Sequence, residues 1–162
     1  MYAPEDAVDD EVFVYDSLSD GKSLHSEFVH QLCKLRFPNR QYMKVTLKPC
    51  PAQNNGVDCG VFAIANALEL CLGRLPEQMS FNIQYMRPHL LQCLKTQQIT
   101  PFPKVSTPGK LVGLNAVLYY PIYCSCRDTF FYSDALNDGE LVMIKCCRCG
   151  KRFHKKCANV EI

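Results

Sequence analysis

The sequence predicts an α+β fold with a small cysteine-rich appendage, and three observations predict it. Short alternating apolar segments are interleaved with segments of helical period. Eleven cysteines divide into five scattered between residues 33 and 93 and six packed between Cys124 and Cys157. A proline-rich stretch separates the two regions. At 162 residues the chain has room for one medium domain and a minor one, and 48% hydrophobic against 21% charged residues excludes disorder for most of it.

The elements follow in order. Residues 11–15 (Glu11, Val12, Phe13, Val14, Tyr15) read as a strand that stops at Asp16 and Ser17. Leu24, Phe28, Leu32 and Leu35 recur at helical spacing, with Ser23 able to cap the start and Pro38 marking the stop. Residues 42–47 alternate as a second strand that ends before Pro49. Residues 61–72 are apolar on nearly every face and close at Gly73, the pattern of a buried helix. A last helix over residues 86–98 carries Leu90, Leu91 and Leu94. Pro101, Pro103, Pro108 and Gly109 block both helix and central strand, so residues 1–99 form the first domain, 100–122 a linker and 123–162 the appendage.

The formal net charge of +2, from 18 Lys and Arg against 16 Asp and Glu, is too small to argue for non-specific binding of nucleic acid or of an anionic membrane. No apolar run reaches the roughly 18 residues of a membrane span, and the start lacks the basic-then-apolar order of a secretory signal. The expectation is an intracellular protein with no membrane partner. In a reducing compartment, a dense cysteine set points to metal and a scattered cysteine is a candidate nucleophile.

The most informative stretch is the polar loop from Gln53 to Gly60 that runs straight into the apolar helix. Cys59 sits at the helix start, where unpaired backbone N–H groups and the positive end of the helix dipole favour thiolate over thiol. The same amides can face an oxyanion, and the Gln53 side-chain amide can donate to it. On residue chemistry alone, a cysteine at a helix start is more often a small buried apolar side chain, and core packing is the default for Cys33, Cys50, Cys71 and Cys93. The longer pattern decides for Cys59.

The Gln53 to Gly60 loop and its helix resemble the active-site segment of the ubiquitin-like-protein (SUMO) processing cysteine proteases, in which a Gln and then Asp-Cys-Gly precede a buried helix. Residues 14–18 resemble the strand end bearing that family's triad aspartate, and residues 86–94 resemble its closing helix. The resemblance implies a papain-like α+β protease fold, with Cys59 as nucleophile, Asp16 as the group orienting a histidine and Gln53 as oxyanion donor. It implies hydrolysis after the C-terminal glycine of a ubiquitin-like modifier or of its conjugates, through a Cys59 thioester. The family's histidine lies ahead of the aspartate and is followed by tryptophan; here no histidine precedes His25 and there is no Trp. The resemblance thus covers the C-terminal half of the protease domain and leaves the chain without the family base. His25, His30 and His89 match no family position.

In the appendage the spacing runs C-x-C at Cys124 and Cys126, C-x₂-C at Cys146 and Cys149, and H-x₂-C at His154 and Cys157. Four N or S ligands in a tetrahedron suit zinc, and the interleaved Lys and Arg leave no apolar core for buried thiols. This stretch resembles a PHD finger. The resemblance implies that Cys124, Cys126, His154 and Cys157 share one zinc, while Cys146 and Cys149 begin a second site. Many PHD fingers read histone tails, which makes a histone tail or another chromatin protein a candidate partner and the nucleus the expected location. The six basic residues from Lys145 to Lys156 would repel a basic tail, which leaves an acidic protein or nucleic-acid phosphate as an alternative partner, although a charge run of this length is more often a solvated face. The rival to the protease reading is a non-catalytic, zinc-dependent chromatin- or protein-binding module.

Overall fold

The computed structural model describes residues 11–20, 24–36, 42–122, 124, 126, 129–131, 137 and 142–158. The expected cap Ser23 and the stop at Pro38 lie outside the described residues. Helices and strands are mixed as an α+β chain requires. In order come β1 (Glu11–Val14), α1 (Ser26–Arg36), β2 (Tyr42–Leu47), β3 (Cys50–Pro51), α2 (Cys59–Cys71), a 3-10 turn (Pro76–Gln78), α3 (Ile83–Thr96), β4 (Leu111–Val112), β5 (Ala116–Pro121), β6 (Met143–Lys145), β7 (Arg152–His154) and α4 (Lys155–Ala158). Among the described residues no helix is long and apolar enough to cross a membrane.

The strands form a three-stranded sheet of order β1-β2-β5 and two antiparallel pairs, β3 with β4 and β6 with β7. The chain divides into two compact units. One holds Met1–Val12, Leu24–Val45 and Leu118–Ile162; the other holds Phe13–Ser23 and Thr46–Val117.

In the first unit, Val29, Cys33, Met43 and Val45 are fully buried. The inward face of α1 is therefore Val29 and Cys33, with Leu24 at its head. Phe28, expected to face inward, is exposed, one helical position off the line that packs. The Tyr120 hydroxyl accepts a bond from the Leu24 amide at 3.4 Å, and Phe131 meets both Tyr120 and His30 at ring-centroid separations of 5.9 and 5.4 Å.

In the second unit, Phe62, Ala65, Phe81, Met86 and Phe102 make the core, with Val61, Leu68, Met79, Ile83 and Leu90 packed against it. Edge-to-face ring pairs link Phe62 to Phe81 at 6.1 Å and Phe81 to Phe102 at 6.3 Å. Helix α2 ends in a Schellman motif, as the Gly73 stop predicts: Arg74 N–H donates to the Glu69 carbonyl at 2.9 Å, Gly73 N–H to that of Leu70 at 3.0 Å, and Gly73 takes φ +71°. The helix is one-sided, which corrects the expectation of all-round burial. Phe62, Ala65, Asn66 and Glu69 face inward, while Ile64, Leu70, Cys71 and Leu72 are exposed. Helix α3 likewise buries Met86 and Cys93 and half-buries Leu90, leaving Leu91 and Leu94 in solvent.

Residues 100–122, expected as a linker, run through this architecture. Phe102 is only 2% exposed, Asn82 N–H donates to the Pro103 carbonyl, Val105 N–H to the Ser80 carbonyl, and β4 pairs with β3. The prolines exclude regular structure at three positions but leave the neighbouring amides and carbonyls free to pair. Gly113, at φ +97°, brings its backbone so close to Lys48 that an added Cβ would stand 2.3 Å from the Lys48 carbonyl oxygen. The buried Glu69 carboxylate is ion-paired with Arg74, accepting from its Nη2 at 3.2 Å, and accepts from Lys104 Nζ at 2.8 Å, tying the proline-rich stretch to α2.

Candidate active site and metal centre

The loop ahead of α2 is built by its own polar side chains. Asn55 Oδ1 accepts from the Val57 and Asp58 amides, each at 3.0 Å, and its Nδ2 donates to Asp58 Oδ2 at 2.6 Å. The Gln53 side-chain N–H donates to the Asn55 carbonyl, and Ser17 Oγ donates to Gln53 Oε1 at 2.6 Å. A backbone bond from Gln53 N–H to the Ser17 carbonyl, 3.1 Å, adds to the link. Ser17 therefore fixes which end of the buried Gln53 amide turns toward the loop.

Asp16 closes the turn after β1: Oδ1 accepts from the Leu18 amide at 2.9 Å and its carbonyl from the Ser19 amide at 3.1 Å. Of the three residues predicted from sequence, Asp16 and Gln53 come together through Ser17, and Cys59 follows in the loop that Gln53 holds. Cys59 is the first residue of α2 and is exposed. Beneath the Asp16 turn lies Cys50, whose thiol burial, and next the Asp16 charge, push up to about 12. Burial first, then Glu77 and Cys50, raise the Tyr15 hydroxyl in the same direction.

Asp58 stands at the N-cap of α2 but makes no capping bond from its side chain. Its carboxylate is held by Asn55 and by Arg87 Nε of α3, and Arg87 Nη2 also donates to the Val57 carbonyl at 2.8 Å. The Asn55 bond first, then Arg87, keep the Asp58 carboxyl below the usual carboxylate range. The first helical bond, Phe62 N–H to the Asp58 carbonyl, is in place at 3.0 Å. The first-turn amides of α2 thus lack the side-chain cap an aspartate ordinarily supplies. Ser17, Asn55 and Arg87 are the residues that sequence reasoning missed. Asn55 carries the usual mark of an Asx loop three residues before Asp58, whereas nothing local marks Arg87, 29 positions from its partner.

All four histidines are among the described residues. His89 Nε2 meets the Thr100 carbonyl at 3.0 Å, with its ring against Phe102 at 5.1 Å, and His30 meets Phe131. His25 stands just ahead of α1, and His154 is one of four clustered side chains that could hold a metal ion.

In the other unit, the β6 and β7 hairpin pairs Met143 with His154, Ile144 with Phe153 and Lys145 with Arg152. It presents His154, 3% exposed, beside Cys126, with Sγ to Nδ1 at 3.4 Å. The ligand atoms of Cys124, Cys126, His154 and Cys157 all lie within 4.8 Å of one another. A tetrahedral zinc with Zn–S bonds of about 2.3 Å sets its sulfurs about 3.8 Å apart, so this donor set fits the ion. Burial, then the neighbouring Cys124 and Cys157 thiols, push Cys126 up to about 12, and burial foremost raises Cys157. Thiols crowded this way repel as thiolates, and a bound dication reverses that balance. Cys146 is shifted the opposite way, chiefly by hydrogen bonds from the Cys149 and Arg148 amides, and the cluster of four described above does not include Cys146 or Cys149. Cys147, between them, is exposed.

The chain was compared with families of known proteins. No curated protein and no solved structure matches it significantly. Residues 6–97 match the model of the Ulp1 protease family, C-terminal catalytic domain, a span that contains Asp16, Gln53, Cys59 and Arg87. The chain belongs to the Ulp1 protease family of cysteine proteases, the family of SUMO proteases.

Proposed function

We propose that the second unit is an acyl-capturing site for the C-terminal glycine of a ubiquitin-like modifier, with Cys59 as nucleophile, Gln53 as oxyanion donor and Asp16 at the place of the carboxylate that in the family orients a histidine. The observation that carries it is the family match over residues 6–97, read together with the hydrogen-bonded chain from Ser17 through Gln53 and Asn55 to the loop that delivers Cys59. In the reaction the Cys59 thiolate attacks the carbonyl carbon of the terminal glycine, and the carbonyl oxygen takes negative charge facing the Gln53 amide and the first-turn amides of α2. The C–N bond breaks, the amine leaves with a proton drawn from water, and a thioester remains. Water then attacks the thioester, releasing the modifier's carboxylate and regenerating the thiol.

The His30 ring meets Phe131, His89 meets the Thr100 carbonyl and Phe102, and His154 lies in the Cys and His cluster, and the family's histidine has no counterpart ahead of Asp16 in residues 1–15. Without imidazole as base and acid, residues 1–162 forgo a factor of about 10² to 10⁴. The proposal is therefore of capture with slow turnover. It is tested with a ubiquitin-like protein extended beyond its terminal glycine by a fluorogenic amide: slow release that Cys59→Ala abolishes supports it, and release unaffected by that substitution overturns it.

A second proposal rests on the four-ligand cluster. Cys124, Cys126, His154 and Cys157 would hold zinc in a PHD-like finger, where the ion would supply folding energy rather than chemistry. Protein binding through this finger, with a chromatin partner as the candidate, is the reading that would stand if Cys59 proves inert. Metal content after dialysis, parent against Cys126→Ser, tests the zinc site.

A further inference from the structure

The Asp58 carboxylate stands immediately before Cys59, where an aspartate has two ordinary options. It can cap the helix by accepting from the second or third amide, or it can remain an unpaired negative charge beside the thiol. Both are harmful to a thiolate nucleophile: the first occupies donors an oxyanion needs, and the second repels the thiolate itself. Asp58 does neither. Asn55 takes one carboxylate oxygen, Arg87 takes the other, and no capping bond is made. Arg87 holds the backbone as well, donating to the Val57 carbonyl from its second nitrogen. Its side chain is 57% exposed, so the ion pair adds little to stability, which leaves placement as its main effect.

We propose that Arg87 is a positioning residue for Cys59: with Asn55 it draws the Asp58 carboxylate off the start of α2, leaving the first-turn amides open and the thiol beside a compensated charge. The inference rests on the reading of Cys59 as nucleophile. It assigns Arg87 a role exerted through Asp58 and not through contact with substrate.

The test is the rate at which iodoacetamide alkylates Cys59 in the folded chain at neutral pH, read site by site by mass spectrometry so that the other exposed cysteines do not interfere. Arg87→Gln slows Cys59 about tenfold, the effect of an uncompensated carboxylate on a neighbouring thiolate. Adding Asp58→Ala to Arg87→Gln restores the rate, because the offending carboxylate is gone. A merely structural arginine would not behave so: the double variant would be as slow as the single one, or slower. An unchanged rate in Arg87→Gln, or no recovery in the double variant, overturns the proposal. Should Arg87→Gln fail to fold, Asn55→Ala removes the other hold on the same carboxylate, and the same slowing and the same rescue are expected. Alkylation needs only a thiol, so a chain that behaves this way yet reacts with no ubiquitin-like modifier would contradict the proposed function and leave the role of Arg87 standing.

Discussion

At the scale of the residue, a few side chains hold the protease loop in place. Ser17 selects the orientation of the Gln53 amide, and Asn55 ties two backbone amides to the carboxylate they precede. Gln53→Ala is expected to lower the rate of acyl transfer about 10²-fold, as loss of an oxyanion donor does, with little effect on binding. Ser17→Ala should cause a smaller loss of the same kind, and comparing kcat with KM for both variants checks it. Cys50 yields a prediction in pH. Its folded-state value of about 12 lies above its ordinary 9.0, so its contribution to stability is complete below pH 9 and is lost as pH rises toward 12. Urea unfolding at pH 8 and at pH 11 should show the parent losing more stability than Cys50→Ala over that interval. Equal losses would mean that the thiol ionises alike in both states.

At the scale of the element, what was legible in the sequence is what local pattern encodes. Strand β2 occupies residues 42–47 as its alternation predicts, and α2 stops at Gly73 because only a left-handed residue can complete its Schellman turn. The resemblance to a PHD finger implies that Cys124, Cys126, His154 and Cys157 share one ion, and those four side chains lie together as a cluster that could hold a metal. The misjudged features depend on partners distant in sequence. Periodicity shows that Leu91, Leu94 and Ile64 lie on helices, but not that their faces lack a neighbour. The linker reading rested on prolines at 101, 103 and 108, and it could not register that Phe102 between them fills the gap beside Phe81. Phe102→Ala should therefore cost about 3–5 kcal/mol, the range for emptying a buried aromatic site, measured by urea denaturation. Glu69→Ala should cost about 1–3 kcal/mol, since Arg74 and Lys104 lose a fully buried acceptor but are themselves hydrated enough to recover part of it.

At the scale of the whole molecule, chemistry of two kinds resides in separate units. Asp16, Gln53, Cys59 and Arg87 belong to the unit of residues 13–23 and 46–117, and the four clustered side chains that could hold a metal belong to the other. Chelation is accordingly expected to melt the β6 and β7 hairpin while leaving alkylation of Cys59 unchanged, which hydrogen exchange and site-resolved labelling on one sample can show. The protease reading is the central claim, and its most direct measurement is covalent labelling by a panel of ubiquitin-like proteins carrying C-terminal electrophiles, the parent chain against Cys59→Ala. One member of the panel is expected to label the parent and not the variant. Absence of labelling by every member, in protein shown to be folded and zinc-replete, would contradict it.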